Sequence, residues 1–220
     1  MITDYSIQAI AINAIPLIFA ITIHEAAHGY AARFFGDNTA YMLGRVSINP
    51  LKHIDPVGTL LIPLMLILAS SPFLIGYAKP VPVNFGRLRN PRIDSIWVAL
   101  AGPGSNFAQA LIWATILILL IGSGVDERFL LAMSQAGITW NLVLLVFNLF
   151  PLPPLDGGRI LSSLLPARQS IAFGRLEPWG FFIVLGLVFT GIIGSFWMEP
   201  LTALFKYIIY YITLPIQMVL

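Results

Sequence analysis

The chain has 220 residues, 58% of them hydrophobic and only 10% charged, and its mean hydropathy is +0.86. A soluble domain carries about one-quarter charged residues, so composition alone assigns this one to lipid. The net charge of +2 rests on few ionisable groups with no polybasic arm, which gives a nucleic-acid surface no footing, and the absence of cysteine excludes disulfides, thiolate metal ligands and a cysteine nucleophile.

Apolar stretches fall at 7–35, 57–75, 94–121, 130–150, 180–197 and 201–220. Most approach the roughly 20 residues that a spanning helix needs. Residues 1–5 lack the basic n-region of a secretory signal, so the first stretch is expected to be retained. Between the first two stretches, residues 41–48 alternate weakly and predict a short hairpin beside the bilayer. Residues 76–91 are rich in Pro, Gly and basic side chains, and Pro80 and Pro82 favour extended backbone. The predicted fold is an all-α polytopic membrane protein of five to six transmembrane helices, with a small β-hairpin or extended region at the cytoplasmic face. No repeat or linker divides it, so residues 1–220 read as one domain, with a core at about 7–165 and C-terminal helices at about 178–220.

Lys and Arg collect in cytoplasmic loops. Ten of the 12 basic residues lie in three places: Arg33, Arg45 and Lys52; Lys79, Arg87, Arg89 and Arg92; Arg159, Arg168 and Arg175. If all three face the cytoplasm, the N-terminus and the loop 122–128 face outward. That arrangement requires 57–75 not to cross the membrane an odd number of times; Pro63, Ser70, Ser71 and Pro72 suit a re-entrant or surface-lying segment there.

His24-Glu25-Ala26-Ala27-His28 sits late in the first stretch. On a helix, histidines four apart project from one face, which suits two imidazole nitrogens binding a single zinc ion. Glu25 then stands beside the metal, placed to take a proton from zinc-bound water. Such a pentapeptide arises by chance in roughly one chain of this composition in a thousand. A catalytic zinc normally has three protein ligands and an open position. The candidates for the third are His53 and the acidic residues, among which Asp156 stands out. It follows Pro151, Pro153 and Pro154, which stop a helix, and precedes Gly157 and Gly158, which permit close backbone approach. With 57–75 not crossing, Asp156 and the two histidines fall at the same membrane face.

These residues resemble the site-2 protease family of intramembrane zinc metalloproteases. The resemblance covers the H-E-x-x-H helix, Asn49 to Pro56, Ala101-Gly102-Pro103-Gly104-Ser105-Asn106 and the Pro-rich Leu-Asp-Gly-Gly ending at Gly158. It implies that His24, His28 and Asp156 bind one Zn2+ per chain, that Glu25 is the general base, and that the substrates are membrane-anchored proteins, cut in or near a spanning helix once it loosens. The chain is similar to the short branch without a PDZ insertion, and it is expected to depart from the family's pattern in having no helix before the catalytic one and an added apolar segment at 57–75. The expected location is a prokaryotic cell membrane, with the site near the cytoplasmic side.

Three further polar residues are candidates for oxyanion or substrate contacts. His53 lies in a loop near the same face, where it could also orient substrate, hold a second metal or simply brace the loop. Asn106, in the third stretch, needs a partner in lipid and could donate to a developing oxyanion or act as glue between helices. Asn148 invites the same two readings. Two other functions stay open on sequence alone: a membrane zinc hydrolase acting on lipid, and a non-enzymatic metal-binding membrane transporter. The transporter's mark, paired broken helices in matching halves, is missing.

Overall fold

The computed structural model describes residues 7–61, 65 and 78–219. The long helix α1 (Ile7–Phe34) contains Pro16, which removes one N–H from its ladder and is buried against neighbouring helices. Its buried face includes Ala20, Ala26, Gly29 and Ala32, small residues that let other backbones come close. A single turn, α2 (Thr39–Met42), is followed by a 3-10 turn at Pro50–His53 and a π turn at Pro56–Leu61.

A stretch without regular secondary structure, residues 78–84, ends with Asn84 in extended conformation and leads into a 3-10 turn at Phe85–Arg87. α3 (Pro91–Gly122) opens with proline, whose missing N–H costs nothing in a first turn, and the Asp94 side chain accepts the Asn90 N–H. α4 (Arg128–Asn148) is capped by Glu127, which accepts the Phe129 N–H. Then come α5 (Asp156–Leu164), α6 (Ala167–Gly174), α7 (Glu177–Phe189), a π turn at Gly194–Met198 and α8 (Glu199–Gln217).

α1, α3 and α4 pack against one another, α5 lies on α3, and α8 closes against α3 and α4. The main core joins Ala110 and Ala114 of α3, Leu142, Leu145 and Val146 of α4 and Ile209 of α8. A smaller cluster of Ala32, Leu88 and Val98 ties the end of α1 to the start of α3. Main-chain contacts gather the same region. The Arg89 N–H reaches the Phe35 carbonyl at 2.9 Å, the Lys79 N–H reaches the His53 carbonyl at 2.9 Å, and Arg92 donates to the carbonyls of Ser163, Leu164 and Leu165. The end of α1, the start of α3 and the end of α5 therefore share one end of the bundle.

One sequence expectation changes. The described residues hold no strand: in place of a hairpin at 41–48, Met42, Leu43 and Gly44 make helix-like turns to Asn38, Thr39 and Tyr41, and Gly44 takes a φ of +63°. Among the described residues three helices, α1, α3 and α4, are long and apolar enough to cross a membrane, or four if α6 and α7, bent by 67°, form one span. α8 carries Glu199, Lys206 and three tyrosines that lower its hydropathy, and 57–75 lies mostly outside the described residues.

Candidate metal centre

His24 and His28 project from one face of α1, as their spacing requires, and Asp156 begins α5 directly after the Pro-rich loop. Two glycines make the meeting possible. A Cβ at Gly157 would collide with the Leu149 carbonyl, so only glycine lets α5 start folded against the end of α4. A Cβ at Gly102 would fall 2.6 Å from His24 Nε2 and closer still to His28 Nε2, so the backbone of α3 forms a wall directly behind the imidazoles.

The three ligand atoms form a small triangle. His24 Nε2 and His28 Nε2 stand 3.0 Å apart, and Asp156 Oδ2 lies 3.3 Å from the first and 3.4 Å from the second. Protonation follows from the partners on the other side of each ring. His28 Nδ1 is 2.7 Å from the Val98 carbonyl, which can only accept, so Nδ1 carries the proton and Nε2 a lone pair. His24 Nδ1 is 2.6 Å from Asn106 Oδ1. The orientation of that amide is itself fixed, because Asn106 Nδ2 donates to the Ala20 carbonyl at 3.1 Å and to Asn141 Oδ1 at 3.0 Å. Asn141 Nδ2 in turn donates to the Gly137 carbonyl at 2.9 Å. Carbonyls at both ends thus set the direction of the whole chain of bonds, and His24 also presents a bare Nε2.

The two Nε2 atoms, 3.0 Å apart, face a buried carboxylate oxygen with no hydrogen-bond partner, an arrangement that a shared proton or a metal cation among the three atoms satisfies. A tetrahedral ion with bonds of about 2.0–2.1 Å has ligand-to-ligand edges of roughly 3.3–3.4 Å, close to the edges of this triangle. The donor set, two neutral imidazoles and a carboxylate with hydrogen-bonded outer partners, fits zinc. Glu25, the next residue on α1, turns its carboxylate to the stretch 78–84, where Oε2 accepts the Val81 N–H at 2.7 Å.

The remaining candidates do not join the triangle. Asn106 places its N–H groups on the Ala20 carbonyl and Asn141 Oδ1 and its oxygen on His24 Nδ1. His53 is buried in its loop with Nε2 on the Ser47 carbonyl at 2.7 Å, a brace between two turns. Asn148 bonds back to the Leu144 carbonyl at 3.0 Å within α4. Sequence reasoning passed over Asn141 and Val81. A buried amide in an apolar span was a signal for the first, because it needs a partner; no local signal marks the second.

Two histidines and a carboxylate, one of them buried and two half-buried, meeting among long apolar helices define the class: a membrane protein with a site that can hold a metal ion. Residues 129–191 match the sequence profile of Peptidase family M50. The chain is 39% identical over 202 residues to YwhC of Bacillus subtilis strain 168, which bears a zinc-metalloprotease name, covering 90% of this chain and 88% of that one. It is 29% identical over 186 residues to Rip2 of Mycolicibacterium smegmatis, named in the same way, covering 83% and 68% of the two chains. Rip2 of Mycobacterium tuberculosis strain H37Rv is 28% identical over 165 residues, 69% of this chain and 60% of that one. No solved structure matches. The chain belongs to peptidase family M50, the site-2 protease family. It is a zinc metalloprotease of the membrane, and zinc is its cofactor.

Proposed function

We propose that the chain cleaves membrane-anchored proteins within or beside the bilayer, with His24, His28 and Asp156 holding the zinc ion and Glu25 acting as general base. The observation that carries this reading is the triangle of two bare imidazole nitrogens and a buried carboxylate oxygen, with edges of 3.0, 3.3 and 3.4 Å, next to a glutamate one residue away on the same helix. When bound, zinc supplies a water that ionises near neutral pH and polarises the carbonyl under attack. Glu25 accepts the proton of the attacking water and passes it to the leaving amine. Asn106 and the Val98 carbonyl keep both rings in the metal-binding tautomer. A substrate helix shields its peptide bonds with its own hydrogen bonds, so it must unwind before it is cut.

The placement of basic residues supports a site near the cytoplasmic side, five crossings with the N-terminus outside, and one domain over residues 1–220 with its core at about 7–165. Incubation of purified protein with a single-span substrate tests the reading. Wild type yields two peptide products and leaves lipid intact. Glu25→Gln keeps one zinc per chain and loses cleavage by at least about a thousandfold. Cleavage that survives Glu25→Gln refutes the base, and lipid products refute the substrate class.

A further inference from the structure

The stretch 79–84 crosses α1 over the proposed base, and it is fastened at each end. Arg45 Nη2 donates to the carbonyls of Lys79 at 2.8 Å and Pro80 at 3.2 Å, and the Lys79 N–H bonds the His53 carbonyl. At the far end the Asn84 N–H donates to Asp37 Oδ2 at 2.7 Å, and Asp37 is fully buried. In the middle Val81 is buried, its side chain seated against Gly29. Pro80 and Pro82 have no N–H, so across Pro80-Val81-Pro82 the main chain offers a single donor. That donor is the one on Glu25 Oε2, 2.7 Å away.

We propose that Pro80-Val81-Pro82 is a positioning strap for the general base: the Val81 N–H holds one carboxylate oxygen of Glu25 and so presents the other, Oε1, for proton transfer. The inference rests on the assignment of Glu25 as base. The flanking prolines stiffen the backbone and remove every competing donor, so the strap has one register on the carboxylate. A carboxylate on a flexible side chain loses rotamer freedom when it is held in this way, and a base misplaced by about 1 Å can cost a hundredfold in rate.

The test compares variants at Val81 on a single-span substrate. Val81→Pro deletes the N–H and is expected to lower kcat by about a hundredfold, with KM within threefold of wild type and zinc still at one per chain. Val81→Ala keeps the N–H and loses the side chain, and it is expected to restore kcat to within about threefold of wild type. A second measurement needs no activity and no folded proline variant: in detergent-solubilised, chelator-treated protein labelled with 15N-valine, the Val81 amide proton resonates downfield and moves upfield in Glu25→Ala. A wild-type kcat in Val81→Pro, or a Val81 resonance indifferent to Glu25→Ala, overturns the strap. Activity in Glu25→Gln overturns the base instead, so the two failures are distinguishable.

Discussion

Behind the imidazoles the α3 backbone comes so close that residue 102 has no room for a methyl group, whereas a Cβ at Gly104, two positions on, meets nothing within 4 Å. Gly102→Ala is therefore expected to push both rings out of line and weaken zinc binding by at least about 10- to 100-fold, while Gly104→Ala binds zinc as wild type does. Metal analysis after dialysis against a weak chelator, with circular dichroism to verify the helices, checks both. Equal zinc retention in the two variants would remove the close-approach argument. At this scale the spacing of His24 and His28 was readable because helix geometry fixes it locally. The role of Asn106 was only half readable: that an amide in lipid needs partners follows from its chemistry, but that Ala20 and Asn141 take both of its N–H groups depends on which helices meet there. Val81 was hidden for the same reason, since its partner lies 56 positions earlier in the chain.

Among the elements, the connection between α1 and α3 departs furthest from its sequence pattern. Weak alternation at 41–48 suggested a hairpin, but alternation makes a strand only where a partner strand exists, and here the backbone turns are closed locally and Arg45 reaches across to the strap. Asp37 fixes the strap's far end and makes its contribution depend on pH. Burial by itself would push the Asp37 carboxyl up, but hydrogen bonds from the Thr39 hydroxyl and from the Asn84 and Thr39 amides, with the nearby charge of Arg87, hold it below the usual carboxylate range. A carboxyl whose folded value is depressed contributes stability that is present above its unfolded value of about 3.9 and is lost as pH falls through the lower folded value. Asp37→Asn should therefore melt below wild type at neutral pH, with the difference shrinking as pH falls below about 4. Thermal unfolding in detergent across that range measures it; a gap that stays constant down to the lowest pH would mean that the Asp37 charge does not hold this connection.

For the molecule as a whole, the apolar periodicity announced helices, and α1, α3 and α4 formed where it was strongest. The C-terminal third was less legible, because the bend between α6 and α7 and the polar residues of α8 depend on what each helix packs against. What joins the parts is the triangle, because its atoms come from distant stretches of the sequence: the histidines from α1, the carboxylate from α5 beyond the Pro-rich loop, and the outer partners from α3 and α4. A ligand that binds only the folded state stabilises it by RT ln(1 + [L]/Kd), about 4 kcal/mol at a thousandfold excess over Kd. Removing zinc with a chelator should therefore lower Tm by several degrees, and adding back one equivalent should restore it, with no substrate present. Asp156→Ala provides the internal control, since a protein that has lost a ligand should show a much smaller shift between chelator and zinc. If wild type and Asp156→Ala respond to the chelator alike, the carboxylate does not share an ion with the two imidazoles, and the link between α1 and α5 has to be sought in packing alone.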